Sequence, residues 1–292
     1  MPMTDEYDNE IKGLEKDAAD TTLQYTDTLP RGYLSVSQIT QYLKCGKAYE
    51  KRYIEDHVIP SNNFIVQGRG VHKAAEKLHL SMMHQPENLS VEEMTAVYSD
   101  SHDTEAEGAV LVDETDWGVV KDEGIMLTQL YRKGALGDIT DPATGFPMAA
   151  VEPIAAERVV KVVLHPQDSD PIPFMGVIDL EEPTGIRDVK TKRKMASQAD
   201  TDNSLQLTLY AHILGKPDVG FDQLVKPTKT KGARYIRSRS IRTNADAQHA
   251  LDIAADVAAS IAAGHFPRTN PENWWCGDKW CPYWDGCRGK KR

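Results

Sequence analysis

The sequence predicts a mixed α/β fold, and three changes of pattern along the chain support this. The first half carries apolar residues at the helical spacing of three or four. Residues 154–191 then switch to short β-branched segments bounded by Pro and Gly, which is typical of strands. Helical spacing returns at 202–214, strands are expected near 220–226 and 233–241, and an Ala-rich helix is expected at 244–263.

The first elements are an acidic tail and two helices. Residues 1–30 hold eight carboxylates and two lysines without periodicity, so we expect an acidic, mobile tail. Ser35 and Gln38 have the spacing of a capping box, which predicts that a helix begins there and continues to Tyr53. The stripe of this helix is Val36, Ile39, Tyr42, Leu43, Tyr49 and Tyr53, and that of the next is Val71, Ala74, Ala75, Leu78 and Met82.

The middle of the chain predicts an insertion followed by a strand meander. Residues 85–136 are helical in parts and strongly acidic between 87 and 123, so we assign them as a helical insertion. Strands are predicted at 154–164, 173–181 and 185–191, and the last two form a hairpin through Pro183-Thr184-Gly185. Asp202 or Asn203 is the expected cap of the helix at 202–214.

Composition and charge narrow the class of protein. The chain has 292 residues, is 40% hydrophobic and contains no apolar run near the roughly 18 residues of a membrane helix. Its acidic start is unlike a signal peptide, so we expect a cytoplasmic protein of a bacterial, archaeal or phage-infected cell. The net charge is −10, but residues 186–242 carry a net +8, which indicates either a nucleic-acid footprint or a solvated basic surface.

The four cysteines are unevenly placed, with Cys45 far from Cys276, Cys281 and Cys287. Two disulfides are not expected in a reducing compartment. Clustered soft thiolates favour a metal or iron–sulfur site instead. The spacing C-x4-C-x5-C with one remote cysteine suits an iron–sulfur cluster, and structural zinc is the alternative.

The hairpin carries the most informative polar residues. Because side chains alternate along a strand, Asp188 and Lys190 are expected on one face, with Asp179 within reach across the hairpin. Two carboxylates suit a hard divalent cation, and an adjacent ammonium can stabilise developing negative charge. This set favours metal-assisted hydrolysis of a phosphodiester, against the alternative of ordinary ion pairs on an exposed hairpin.

These residues also carry a family resemblance. Asp179 followed by Asp188-Val189-Lys190 resembles the catalytic core of the PD-(D/E)XK nucleases, with Asp188 where many members have Glu. The wording "MGVIDL…IRDVKT" is similar to the RecB-like branch of that superfamily. The resemblance implies a restriction-endonuclease-like core, in which a mixed central sheet is flanked by helices, within a single nuclease domain over 31–292.

Further motifs follow the same order as in that branch, and together the matches span roughly 33–288 apart from most of 85–150. The segment "LSVSQITQYLKCGKAYEKRYI" resembles the N-terminal helix of the branch with its cysteine. Gly68-x-x-x-His72 and Gln206-x-x-x-Tyr210 resemble two of its conserved elements. The terminal cysteines resemble those of iron–sulfur members such as AddB-type nucleases and the CRISPR-associated exonucleases.

The resemblance implies roles for individual residues. His72, Asp179, Asp188 and the carbonyl of Val189 would bind Mg²⁺ or Mn²⁺, and Lys190 would position the attacking water. Gln206 and Tyr210 would face the active site or the DNA backbone. The segment 264–292 would hold a 4Fe–4S cluster jointly with the N-terminal helix, through Cys45, Cys276, Cys281 and Cys287.

Several residues keep two interpretations. Glu76 is the alternative to His72 as a metal ligand. Glu157 is either a supporting residue of the site or a structural one. The tail tryptophans either shield the cluster or stack on single-stranded DNA bases; they are Trp274, Trp275, Trp280 and Trp284.

The function implied is a metal-dependent exonuclease acting on DNA ends, with single-stranded DNA as the expected substrate, in recombination, repair or DNA processing. A recombination, helicase or CRISPR-type protein is the expected partner. The alternatives are an endonuclease, a nuclease that trims DNA during CRISPR adaptation, a DNA-binding module of the same fold without turnover, and a structural zinc protein.

Overall fold

The computed structural model describes residues 26–113, 115–141, 145–167 and 169–289. Among these, two compact units are distinguished, each assembled from separate stretches of chain. The first unit comprises 60–158 and 177–243, and the second comprises 26–59, 159–176 and 244–289. The expected mobile tail falls largely on residues 1–25, which lie outside the described residues, and the single domain over 31–292 stays a prediction.

The N-terminal helices of the second unit are α1 (Val36–Lys44) and α2 (Gly46–Tyr53). Ser35 caps α1 by accepting the N–H of Gln38 at 3.3 Å, but the Gln38 side chain donates to the carbonyl of Tyr33, so only half of the predicted capping box forms. The prediction of one helix through Tyr53 is wrong. Cys45 is extended, at φ −169° and ψ 109°, and separates the two helices.

Three helices of the first unit lie within residues 63–136: α3 (Asn63–His84), α4 (Val91–Ala106) and α5 (Trp117–Ala135). Helix α3 contains the predicted stripe from Val71 to Met82, and α4 and α5 lie within 85–136, whose assignment as an insertion stays a prediction. The three helices approach closely because the Tyr98 ring of α4 lies against two glycines. A Cβ atom at Gly70 would be 2.8 Å from that ring, and one at Gly124 would overlap its hydroxyl group.

A six-stranded mixed sheet contains β1 (Ala155–Leu164), β2 (Ile172–Glu181), β3 (Gly185–Lys192), β4 (Asp218–Val225), β5 (Arg234–Arg237) and β6 (Ser240–Ile241). The strand order is β1-β2-β3-β4-β5, and β6 pairs with β4. Strands β2 and β3 are antiparallel, as the predicted hairpin requires, whereas β3 and β4 are parallel. A parallel pair needs a long crossover, and helices supply it here.

The remaining helices are α6 (Gln198–Asp202), α7 (Leu205–Leu214), α8 (Asn244–Ala262) and α9 (Trp284–Arg288). The expected cap of α7 is wrong: Ser204 caps it by accepting the N–H of Leu207, while Asp202 accepts from Ser240 and Gln198. The expected strand over 233–241 divides at Ser238, whose hydroxyl accepts the N–H of Phe221 in β4.

The core of the first unit lies between α3–α5 and the sheet. Leu180 of β2 and Val189 of β3 are buried in it, so the hairpin is packed directly against α3. The helices contribute Val71, Ala74, Ala75, Leu78, Met94, Tyr98, Leu127, Tyr131 and Ala135. In the described part of the chain, no helix has the length and apolar character needed to cross a membrane.

Candidate active site

The β2–β3 hairpin positions the first carboxylate of the site. The antiparallel register pairs Leu180 with Arg187. Beyond that pair, the N–H of Val189 donates to Oδ2 of Asp179 at 2.8 Å. The Asp179 side chain therefore binds the backbone of the neighbouring strand, which holds its carboxylate beside the segment that carries Asp188 and Lys190.

Asp179 meets two further potential metal ligands. His72 Nδ1 of α3 lies 3.3 Å from Asp179 Oδ2 and 3.9 Å from Glu157 Oε1. One ligand atom from each of these three residues lies within 4.8 Å of the other two. Nitrogen and carboxylate oxygen ligands at this spacing can bind a divalent cation.

The sequence left two roles open for Glu157, as a supporting residue of the site or as a structural residue. It lies in β1 with φ +46°, a left-handed conformation that is rare for a non-glycine residue in a strand. Such a conformation persists only where surrounding structure stabilises it, and it is common at functional sites. The only sequence signal was an acid at the start of a strand.

Asp188 makes a second group with Lys190 and Gln206. Lys190 Nζ lies 2.8 Å from Asp188 Oδ2, and Gln206 Nε2 of α7 donates to Asp188 Oδ1 at 2.7 Å. Gln206 Oε1 in turn lies 3.4 Å from Lys190 Nζ. The Gln206 amide therefore contacts both charged groups, and its role in catalysis stays a prediction.

The charges of the site perturb the pKa values of its members. Burial alone would lower the pKa of His72, but the Asp179 and Glu157 carboxylates outweigh it and raise that pKa to about 9. Burial raises the pKa of Asp188 to about 6 despite the opposing Lys190 ammonium. Burial also raises the pKa of Asp179. Crowded carboxylates of this kind are stabilised when a cation neutralises them.

The other predicted site residues occupy distinct positions. Tyr210 lies one turn beyond Gln206 on α7 and is buried. Glu76 forms an ion pair with Lys73 at 2.9 Å and lies outside the His72, Glu157 and Asp179 group. The carbonyl of Val189 as a ligand stays a prediction.

The four cysteines converge in the second unit. They line a cavity of about 190 Å³ together with Trp275, Trp280 and Trp284. Burial raises the pKa of Cys281, and the three other thiols raise it further, which reflects their proximity. The indole N–H of Trp275 donates to the carbonyl of Lys44 at 3.3 Å, so the tail is bonded to the turn that carries Cys45.

The spacing of the four cysteine sulfurs can be compared with the spacing around a single zinc ion. Four sulfurs at about 2.3 Å from one zinc ion would lie about 3.8 Å apart in a tetrahedron. Among the described residues, the one group with three or more ligand atoms within 4.8 Å of each other is His72, Glu157 and Asp179, so the cysteines are spread more widely.

The cations of the basic stretch 186–242 differ in how deeply they are buried. Arg187 binds Glu182 and Asp218, and Arg237 binds Asp222 and Glu182. These arginines are largely buried and compensate buried carboxylates. Arg193, by contrast, has a side chain that is 69% exposed.

Comparison with known proteins assigns the chain to a family. The PD-(D/E)XK nuclease superfamily matches residues 33–288, well over half of the chain. Its members use divalent metals, so the match indicates a metal-dependent nuclease. No curated protein matches the sequence. The solved structure of SSO0001 is 12% identical, covers 88% of this chain and 96% of the other, and has a TM-score of 0.34, too low to bear on the fold. The chain belongs to the PD-(D/E)XK nuclease superfamily.

Proposed function

We propose that this protein is a DNA exonuclease of the RecB-like branch that hydrolyses phosphodiester bonds at single-stranded DNA ends with Mg²⁺ or Mn²⁺. The observation that supports it best is the proximity of a potential ligand group to Lys190 within one unit. His72, Glu157 and Asp179 form one group, the Lys190 ammonium lowers the pKa of Asp179 against the effect of burial, and Lys190 contacts Asp188 and Gln206. Crowded carboxylates with one oriented ammonium suit phosphodiester hydrolysis.

The residues of the site have separate proposed roles. His72, Asp179 and Asp188 are the proposed ligands, and Glu157 joins them because its carboxylate lies in one group with His72 and Asp179. A bound divalent cation would activate water and neutralise charge on the phosphate. Lys190, one-third exposed, can hydrogen-bond a water or a phosphate oxygen while its contact with Asp188 keeps the ammonium in place.

The test is cleavage of 5′- and 3′-labelled single-stranded DNA with Mn²⁺ by wild type and Lys190→Ala. We expect Lys190→Ala to lose roughly 100-fold or more in rate, while its fold and DNA binding are retained. Lys192→Ala is the matched control, because that lysine follows on the same strand and lies 5.4 Å over the Phe221 ring. Cleavage by Lys190→Ala at the wild-type rate would remove Lys190 from the mechanism.

The same assay separates the alternatives. Cleavage of circular single-stranded DNA would favour an endonuclease, and release of labelled ends alone supports the exonuclease. Absence of cleavage by wild type, together with DNA binding, would favour a non-catalytic module. A protein partner from recombination, unwinding or CRISPR adaptation is proposed for the acidic or terminal segments, and co-purification from the host tests it.

We further propose that Cys45, Cys276, Cys281 and Cys287 bind a 4Fe–4S cluster with a structural role. The wide spacing of the thiols and their shared cavity support it. Cys281→Ala is expected to lose visible absorbance and bound iron and to unfold at a lower temperature. Lys279→Ala, a tail substitution that retains every thiol, is the control. One zinc and no iron per wild-type chain would contradict the proposal.

A further inference from the structure

A second cavity lies in the first unit, beside the proposed active site. Its volume is about 250 Å³, and its lining consists of one aromatic ring, one hydroxyl and two cations. These residues, called the Phe64 pocket below, are Phe64, Thr191, Arg193 and Lys226. Phe64 belongs to the first turn of α3 and is 38% exposed, although large aromatic side chains are usually buried.

The two cations lie over the ring. Arg193 Cζ is 4.8 Å from the Phe64 centroid, and Lys226 Nζ is 5.4 Å from it. Contacts of this length are cation–π interactions. An exposed ring flanked by cations is also the combination that binds single-stranded nucleic acid, since the ring stacks on a base while the cations attract the phosphates.

The pocket is connected to the active site along two elements. Phe64, Gly68 and His72 follow one another at intervals of four, so they share one face of α3. Eight helical residues span about 12 Å. On β3, Thr191 projects to the opposite face from Lys190, toward α3, where its Oγ1 would lie 3.7 Å from a Cβ at Gly68. The pocket therefore shares a face of α3 with His72, so a strand of DNA that reaches the His72, Glu157 and Asp179 group can extend to the Phe64 ring.

Carboxylates of the acidic region 87–123 form ion pairs with both cations of the pocket. Asp113 Oδ2 binds Arg193 Nη2 at 2.7 Å, and Glu123 Oε2 binds Lys226 Nζ at 2.7 Å. The first pair is the more exposed, so its carboxylate is the one that a phosphate can replace at low cost. The Lys226 side chain is largely buried, so that pair maintains the shape of the pocket.

We propose that the Phe64 pocket binds one nucleotide of single-stranded DNA near the cleaved bond. Its base stacks on Phe64, and Arg193 exchanges Asp113 for the phosphate. A base in a duplex is already paired and stacked, so this contact favours single strands over duplex ends. The inference rests on the proposed nuclease function and specifies the substrate of the same site.

Equilibrium binding of labelled oligonucleotides to the Lys190→Ala protein with Mg²⁺ tests the pocket, because the DNA stays intact. Phe64→Ala in this background should weaken single-strand binding by about 5- to 150-fold, with little effect on a blunt duplex. Phe64→Leu keeps the apolar volume and should weaken binding similarly, whereas Phe64→Tyr should retain it. Ile65→Ala, at the neighbouring and slightly more exposed position, is the control.

Asp113→Asn should change single-strand affinity in the opposite direction. Because it releases Arg193, it should tighten binding. Single-strand binding that is unchanged in folded Phe64→Leu would overturn the pocket, and so would equal losses for single strands and duplex. Wild-type cleavage is measured separately. If wild type cleaves DNA and Phe64→Leu does not change single-strand binding, only the pocket is refuted. If wild type does not cleave DNA, the nuclease function is refuted, and the binding comparison alone decides the pocket.

Discussion

Asp188 shows how one buried carboxylate is accommodated in the site. Its side chain is 4% exposed, and burying a charge is costly unless cations and hydrogen bonds compensate. The Lys190 ammonium and the Gln206 amide supply both, from the same strand and from α7. Gln206 also contacts Lys190, so its position affects the acid and the ammonium together.

We therefore predict that Gln206→Ala lowers the cleavage rate by about 10- to 100-fold, the usual loss when a supporting hydrogen bond is removed. DNA affinity should change little, and the pH profile of the rate should shift because Asp188 loses a donor. Rates measured from acid to neutral pH check this. Gln198→Ala on α6, where the amide binds Asp202, is the control. An unshifted profile at the wild-type rate would contradict the role.

His79 is a buried histidine whose titration should affect stability. Its Nε2 lies 2.7 Å from the Tyr131 hydroxyl in the core. Burial lowers the pKa of His79 to about 3, and Arg237 adds to this. An unfolded chain has a histidine pKa of about 6.5, so between these values the unfolded state binds more protons. The contribution of His79 to stability is thus present above pH 6.5 and lost as the pH falls toward 3.

The prediction is that His79→Gln makes the free energy of unfolding less sensitive to pH between about 6.5 and 4. The difference between variant and wild type in urea unfolding at several pH values isolates this residue from the other titrating groups. His249→Gln, at an exposed position on α8, should keep the wild-type slope. The same slope in His79→Gln and wild type would contradict the assignment.

At the scale of elements, the break between α1 and α2 determines where Cys45 lies. A Cβ at Gly46 would meet the Pro267 ring at 2.7 Å and its backbone at 2.8–2.9 Å, so this approach of chain segments requires glycine. The N–H of Lys47 donates to the Pro267 carbonyl at 3.1 Å beside it. Position 46 therefore brings Cys45 to the tail that carries the other cysteines.

Gly46→Ala is expected to destabilise the protein by about 1–3 kcal/mol, because the added methyl group forces packed backbone apart. It should also lower the iron content that the proposed cluster would give, although every thiol is retained. Thermal unfolding and metal analysis measure the two effects. Gly232→Ala is the matched control, since a Cβ there meets nothing within 4 Å. Wild-type stability in Gly46→Ala would show that the segment adjusts freely.

The acidic helices α4 and α5 are structural elements of the first unit. Met94, Tyr98, Leu127 and Tyr131 of these helices are buried in the core that supports the hairpin. Asp113 and Glu123 of the same region bind Arg193 and Lys226. The segment therefore contributes both to the core and to the charge balance beside the site.

At the scale of the whole molecule, net charge is a poor guide to where DNA would bind. The chain carries −10, and the basic stretch 186–242 suggests a broad positive surface. Arg187 and Arg237 are instead neutralised by buried carboxylates. The cations available to a phosphate are thus fewer than the sequence count implies.

The two compact units lead to a prediction for hydrogen exchange. The four cysteines all belong to the second unit, and the core of α3–α5 in the first contains none of them. Cys281→Ala should therefore speed amide exchange in α1 and α2, because local opening depends on local contacts. Exchange in α4 and α5 should stay as in wild type. A uniform increase in both units would contradict a local role for the cysteines.

Local sequence patterns were enough to predict the fold class, most helices and strands, and the hairpin that carries Asp179, Asp188 and Lys190. These features depend on local periodicity and on alternation along a strand, which neighbouring residues specify. The split at Cys45 and the Ser204 cap were missed, because tertiary contacts and competing side-chain hydrogen bonds decide such boundaries.

Which distant residues meet depends on how the segments pack in the folded chain. Glu157 joined His72 and Asp179 through a left-handed backbone conformation that no sequence pattern encodes. Phe64 lies beside residues of β3 and beside Lys226. Most arginines of the basic stretch are paired with carboxylates. Such pairings depend on packing between segments far apart in the chain, so local sequence specifies the participants but not their partners.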